Sequence, residues 1–175
     1  CGNGSFLKHL KNKDGSLSLT GIELIENDYP GIAFIQGDFN RHELNKKFDV
    51  VTSFMVIEHL ENPRSFIQKA HGAMKKDSLL VINTINNNSL IYKIARLLHG
   101  WGVSTAHDRL YSRHHLNHFT NGSLQKLLEM QGFTILSHKN HNYPLKAVDV
   151  PKAPKLVQTF YRGCVAGMFA VSSVF

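Results

Sequence analysis

The sequence predicts an α/β fold, a doubly wound and mostly parallel sheet with an antiparallel last strand. Three observations predict it. A glycine turn, Cys1-Gly2-Asn3-Gly4, opens a helical stretch, as the first turn of such sheets does. Apolar runs of strand length then alternate with amphipathic stretches of helix length as far as residue 84, which argues for parallel strands joined by crossovers. Two of the runs, Phe48–Met55 and Ser78–Thr84, are almost continuously apolar, as strands covered on both faces are.

The elements follow in order. Ser5–Lys11 reads as a helix with Phe6, Leu7 and Leu10 on one face, broken by Asp14-Gly15. Leu17–Leu24 and Ile32–Gln36 read as strands, each followed by a short helix before the strand at Phe48–Met55. Asn62-Pro63 starts a helix with proline in its first turn and Phe66, Ile67, Ala70 and Met74 facing inward. After the strand Ser78–Thr84 and the polar turn Asn86-Asn87-Asn88-Ser89 comes a short helix, Leu90–Leu98, with Ile91, Ile94, Leu97 and Leu98 on one stripe. Gly100–His118 is rich in glycine, histidine and arginine and shows no period. Thr120 caps a helix running to about Gln131, which Gly132 ends. Phe133–Ser137 reads as a strand, Tyr143–Pro154 as a loop, Lys155–Arg162 as a helical turn and Gly167–Phe175 as the last strand.

With 175 residues, 42% hydrophobic and 19% charged, the chain is expected to form one globular domain, with Asn86–His118 as an insertion covering an acceptor pocket. The formal charge of +7 and pI of 9.5 suit an acidic partner. The lysines are scattered, however, and no basic block interleaved with aromatics is present, so nucleic acid is disfavoured. Two cysteines, Cys1 and Cys164, make no disulfide framework and point to a reducing, cytoplasmic setting. The longest apolar stretch, Val165–Phe175, is well short of the roughly twenty residues a membrane span takes.

The candidate site starts at the glycines. Gly2 and Gly4 allow a sharp turn and a close approach of backbone to ligand. A dinucleotide fingerprint needs a third glycine at position 7, where Leu7 stands; a lone G-x-G is also compatible with a plain strand-to-helix turn. Glu23, in Gly21-Ile22-Glu23-Leu24, ends the next apolar run, where a carboxylate can accept hydrogen bonds from a ribose diol. A solvated carboxylate opening a loop is the alternative. Asp38, in Gly37-Asp38-Phe39, either meets an adenine amino group or sits in an ordinary turn.

The segments CGNGSFL, GIEL, GDF, FDVVTSFMVIEHLENP, SLLVINT and HLNHFTNGSLQKLLEMQGF, in this order over Cys1–Phe133, resemble the class I S-adenosylmethionine-dependent methyltransferases, whose fold is Rossmann-like. The nearest subgroup is similar to the quinone-biosynthesis O-methyltransferases. The resemblance implies S-adenosyl-L-methionine as cofactor and transfer of its methyl group to a small-molecule acceptor, at oxygen. It implies that Gly2 and Gly4 run beside the methionine part of the cofactor. Glu23, followed by Leu24, would hold the ribose, Asp38 and Phe39 the adenine, and Ser53 and Phe54 would line the sulfonium side. The family carries an Asp or Glu two residues before its first motif glycine, at the end of a strand. No residue precedes Cys1, so that first strand is expected to be missing from this chain. Some quinone O-methyltransferases place a metal-binding acid at the position of Met55; methionine is no ligand for a hard cation, and no metal set is assigned. Glu58-His59 is then a structural pair at a helix entrance or part of the chemistry.

Eleven histidines are present. His59, His115 and His118 are the candidates for a base that takes the acceptor's proton, since neutral imidazole can do so near pH 7. The run His114-His115-x-x-His118 reads alternatively as polar residues of a lid, or as metal ligands. Neither the Asn/Asp-Pro-Pro-aromatic motif of amide and exocyclic-nitrogen methylation nor a catalytic cysteine of base methylation occurs after the fourth strand, which moves the reading from nucleic acid to a small acceptor. An RNA methyltransferase and a non-catalytic, cofactor-binding regulatory protein are the competing readings.

Overall fold

The computed structural model describes residues 1–141 together with Lys155, Gln158, Thr159, Arg162, Gly163 and Ala166, and these last six are helical. The expected loop at Tyr143–Pro154 and the expected last strand at Gly167–Phe175 lie outside the described residues. The chain divides into two compact units, Cys1–Thr84 and Ile85–Phe175.

In the first unit, helix α1 (Ser5–Lys13) starts from Gly4, which sits in the left-handed region and offers no side-chain cap. Asn3 substitutes for one: its Oδ1 accepts from the Ser5 N–H at 3.1 Å and the Ser5 hydroxyl at 2.6 Å. Lys11 and Lys13 in the last turn complement the negative helix end. Lys11 also donates to the carbonyls of Gly15 (2.7 Å) and Leu17 (3.0 Å), which turns the chain into the first strand.

Strands β1 (Leu19–Glu23) and β2 (Ile32–Gln36) pair in parallel from Leu19↔Ile32 to Glu23↔Gln36, so their carboxyl ends lie level. Strands β3 (Phe48–Phe54) and β4 (Met74–Asn83) form a second parallel pair. Among the described residues the four strands thus make two ladders, tied together by α1, whose Phe6 ring meets Phe54 edge-on at 5.0 Å.

Helix α2 (Pro63–Gly72) has the start its sequence predicts: Asn62 Oδ1 accepts the Ser65 N–H at 3.0 Å and proline occupies the first turn. It buries Phe66, Ile67 and Ala70, and with Ile57 these form the core of the unit. Asn62→Ala is expected to lower stability by about 1 kcal/mol, the usual worth of such a cap, as read by thermal denaturation. The opposite face of the β3·β4 ladder, with Val50 and Phe54 beside Leu79 and Val81, is exposed, so among the described residues these two strands are not covered on both faces as their apolar runs predict.

Three expectations are corrected. The short helices after β1 and β2 are absent: residues 24–31 and 37–47 are turns and loops. Asp38 organises the second of them, its Oδ1 accepting from the Asn40 N–H at 2.8 Å, and such side-chain bonds compete with helix formation. β4 begins at Met74 rather than Ser78, because the pairing Phe48↔Met74 adds an irregular step before Val50↔Leu79. Asp77 takes a positive φ of 59° there, a conformation that aspartate tolerates better than most residues. Phe133–Ser137 is not a strand; it has no ladder partner among the described residues, and a strand exists only by pairing.

In the second unit, helix α3 (Leu90–Gly100) buries Tyr92 and Ala95. The Tyr92 hydroxyl donates to Leu110 O at 3.1 Å, at the end of helix α4 (Thr105–Leu110). Arg96 bonds the Asn87 carbonyl (3.0 Å) and the Tyr111 hydroxyl (2.8 Å). α4 falls where the sequence shows no period; packing of Tyr111 on Tyr92, 5.3 Å between centroids, holds it instead of an apolar stripe. Helix α5 (Asn121–Glu129) carries the expected Thr120 cap, reciprocated by Ser123. Gly132, at φ 86°, and the bond from Phe133 N–H to Leu128 O close its end.

Candidate functional site

The first unit brings the glycine turn, the end of β1 and the end of β3 together. Gly2 and Gly4 have φ of 55° and 73°, and the Gly4 N–H closes the turn on Cys1 O at 3.2 Å. Glu23 reaches back from β1 to hold that turn: Oε2 accepts from the Gly2 N–H (2.5 Å) and from the backbone nitrogen of Cys1 (2.8 Å), and Oε1 from the Leu24 N–H at 3.0 Å. Burial alone raises the Glu23 pKa, but the bonds from the backbone nitrogens of Cys1, Leu24 and Gly2 outweigh it, so the carboxyl is held below its ordinary value. Asn27 donates to Gly2 O at 3.1 Å and pins the turn from the other side. Leu24 and Ile25 beside it are largely exposed.

The next two expected residues lie along the same strand ends. Gly37 N–H donates to Glu23 O at 2.8 Å, and Asp38 lies two residues beyond Gln36, the register partner of Glu23. The Asp38 carboxylate serves its own turn through Asn40 and lies 3.6 Å from the Arg41 guanidinium. Phe39 packs on Phe66 at 5.1 Å, with the Lys69 ammonium 5.8 Å from its ring centre.

At the end of β3, Ser53 is 4% exposed, and its Oγ has no hydrogen-bond partner among the described residues. Phe54 meets Phe6 as above. Met55 follows with φ 53°, an uncommon conformation for a non-glycine residue and one that clusters at functional sites. Its N–H is held by Asn83 O at 2.9 Å. The tight turn Ile57–His59 then buries Glu58 completely. Glu58 Oε2 accepts from the Thr84 hydroxyl at 2.8 Å, while Oε1 has no hydrogen bond among the described residues and faces His59 Nε2 at 4.0 Å. His59 itself is partly exposed.

Three contributors had weak or no signal in the sequence. Asn27 had none. Gly21 had one, since a glycine inside a strand marks a close approach: a Cβ there would meet Cys1 Sγ, Leu7 and Phe34 within 2.9 Å. Met55 read as a strand residue, and its strained conformation is visible only in the fold. A cleft of about 300 Å³ lined by Lys8, Lys11, Tyr29 and Ile32 lies beside α1 and contains none of the expected cofactor residues.

His115 and His118 belong to the second unit. His115 Nδ1 lies 3.3 Å from Leu110 O. His118 packs on Tyr111 at 4.6 Å and lies 6.2 Å from the His115 ring. Burial, then the charge of His115, lower the pKa of His118, which keeps the ring neutral. The group binds its proton less readily folded than unfolded, so stability is expected to fall as pH drops from 6.5 through the lowered value. An NMR titration of the histidine ring protons should place His118 below 6.5; a midpoint above that would contradict its surroundings.

A left-handed glycine turn capped by an acid from the next parallel strand, with a second parallel pair ending beside it, is the arrangement of a Rossmann-like α/β fold. A family model described as "Methyltransferase domain" matches residues 1–138, and the chain belongs to that family. Among curated proteins, it is 43% identical over 49 residues to a ubiquinone biosynthesis O-methyltransferase of Glaesserella parasuis, covering 28% of this chain and 21% of that protein. It is 31% identical over 81 residues to the Rickettsia felis protein of the same name, covering 44% and 33%. Each match thus spans a third or less of the curated relative's length.

Among solved structures, a putative methyltransferase from Bacillus halodurans C-125 superposes with a TM-score of 0.56 at 17% identity, over 75% of this chain and 59% of that one. The plantazolicin methyltransferase BpumL, in complex with a triazolic desmethylPZN analogue and SAH, superposes with a TM-score of 0.57 at 19% identity, over 74% and 52%. The fold is therefore the Rossmann-like fold of class I methyltransferases. Among the described residues no helix is long and apolar enough to cross a membrane.

Proposed function

We propose that this chain holds S-adenosyl-L-methionine and belongs to an enzyme that moves its methyl group to a small-molecule acceptor, at oxygen. One observation carries the reading: Glu23 at the carboxyl end of β1 gathers the left-handed glycine turn with a carboxylate that stays charged. The residues suit the cofactor. Two ionised oxygens can accept a ribose diol alongside their present bonds. The orphaned Ser53 Oγ offers a polar contact, and the first turn of α1, beyond the Ser5 N–H that Asn3 holds, offers N–H groups to a carboxylate. The names of the ubiquinone relatives and the SAH in the BpumL complex favour the same donor and an oxygen acceptor.

Bound there, the cofactor supplies a methyl group activated on a sulfonium. The protein's part is alignment and exclusion of water. Gly2 and Gly4 keep side chains away from the path of the cofactor, and Phe54 closes it on the β3 side. His59, beside the buried Glu58, would take the proton of the acceptor hydroxyl at an imidazole nitrogen.

Calorimetry with S-adenosylmethionine tests the first part. Saturable binding of one molecule per chain is expected, and the absence of heat from folded protein would sink the reading. Turnover is tested by mass spectrometry with a panel of phenols and catechols, where His59→Ala should lower the rate constant and leave cofactor affinity unchanged.

A further inference from the structure

His99 at the end of α3 and His107 and Asp108 in α4 stand outside the site described above. Each offers a ligand atom within 4.8 Å of the other two. The imidazoles of His99 and His107 stack, 4.1 Å apart and 15° from parallel, and Tyr111 stacks on the far side of His107 at 4.4 Å. The His107 ring is therefore held from both faces. Its Nδ1 is closed off from solvent, without a hydrogen-bond partner among the described residues. That nitrogen faces Asp108 Oδ1 at 3.5 Å. The separation is long for a hydrogen bond but close to the ~3.4 Å between two ligands of one tetrahedral ion with bonds of ~2.0–2.1 Å. His99 is exposed on a helix end; to bring its lone pair to the same point its ring leaves the stack on His107, which Tyr111 still holds from the other face.

We propose that His99, His107 and Asp108 form a binding site for a divalent transition-metal ion such as Zn²⁺, Co²⁺ or Ni²⁺. Two imidazoles and one carboxylate suit these ions, whereas Mg²⁺ and Ca²⁺ prefer all-oxygen sets. Three protein ligands leave a fourth position to water. An ion there clips the last turn of α3 to α4, a six-residue helix too short to hold its shape by local bonding alone. The run His114-His115-x-x-His118, which the spacing alone offers as a metal motif, is a different set of residues.

The chain carries its own reporter. Trp101, the only tryptophan, lies two residues beyond His99 and is 72% exposed. The full chain is titrated with Ni²⁺ and Co²⁺ chloride near neutral pH. Saturable quenching of Trp101 fluorescence at one ion per chain is expected, with Co²⁺ bands of a nitrogen and oxygen site. His99→Ala and Asp108→Asn should each weaken binding by about tenfold or more, while His9→Ala should have no effect. Asp108→Asn preserves shape at an exposed position and so separates ligation from folding. In the unaltered chain, bound metal should protect His99 and His107 from carbethoxylation.

Binding that survives both substitutions, or that disappears in His114→Ala and His118→Ala instead, overturns the assignment. So does a thiolate charge-transfer band lost in Cys1→Ser, or the absence of saturable binding.

Discussion

Gly4→Ala is expected to lower the stability of the first unit by about 2–4 kcal/mol. Two costs combine. Gly4 has φ 73°, and placing an L side chain in the left-handed region costs roughly 1–2 kcal/mol. A Cβ there would also lie 2.8 Å from the Phe34 ring tip and 3.5 Å from Tyr29. The Phe34 ring is packed against Tyr29 at 5.8 Å, and Lys8 sits over Tyr29 at 3.2 Å from its centroid. The ring therefore gives way only by disturbing its neighbours, and overpacking of this kind costs roughly 1–3 kcal/mol. Gly2→Ala is the informative comparison. It carries the same backbone penalty, φ 55°, but an added Cβ meets nothing within 4 Å. Chemical denaturation should rank Gly4→Ala as clearly the more damaging of the two. Equal losses would mean that the backbone penalty, not the approach to Phe34, governs the turn.

Glu23→Ala is expected to weaken S-adenosylmethionine binding by roughly 1–3 kcal/mol, the range for losing hydrogen bonds to a charged group. The loss has two sources that Glu23→Gln separates. Glutamine keeps an oxygen for the Gly2 N–H but surrenders the charge, so it should recover the order of the turn and only part of the affinity. Calorimetry measures the affinity, and hydrogen exchange at Gly2 and Leu24 measures the order. Unchanged affinity in Glu23→Ala would show that another group holds the ribose.

The same carboxylate implies a pH dependence. Its pKa is lower in the folded chain than the ordinary 4.5. The stability it contributes is therefore complete above that ordinary value and is lost as pH falls through the lowered one. Glu23→Gln should flatten the acid limb of the stability profile.

Much of this was legible in the chain itself. The glycine turn, the acid about twenty residues on and the helix start at Asn62-Pro63 are local chemistry, and each is found as expected. Strand β2 coincides with its apolar run, Ile32–Gln36, because an apolar run of strand length between Gly31 and Gly37 declares itself by composition. The misreadings share a cause. The two short helices and the strand at Phe133–Ser137 were inferred from an alternation that a complete sheet would display. Side-chain bonds at Asp38 and the lack of a ladder partner among the described residues decided otherwise. Helix α4 was illegible because aromatic stacking on α3, and not a periodic apolar stripe, positions it.

The sequence by itself determined the fold class, the methyltransferase resemblance and the candidacy of Gly2, Gly4 and Glu23, since these rest on residue types at short spacings. Only the tertiary structure decided what those residues touch. It decided that Glu23 holds the glycine turn as well as ending a strand, that Gly21 must be small to admit Cys1 and Leu7, and that Met55 is strained. It also brought His99 and His107, with Asp108, within reach of one another's ligand atoms among the described residues. The physical reason is the same in each case. Spacing along the chain sets which groups can lie on one element, whereas distances between elements are set by packing.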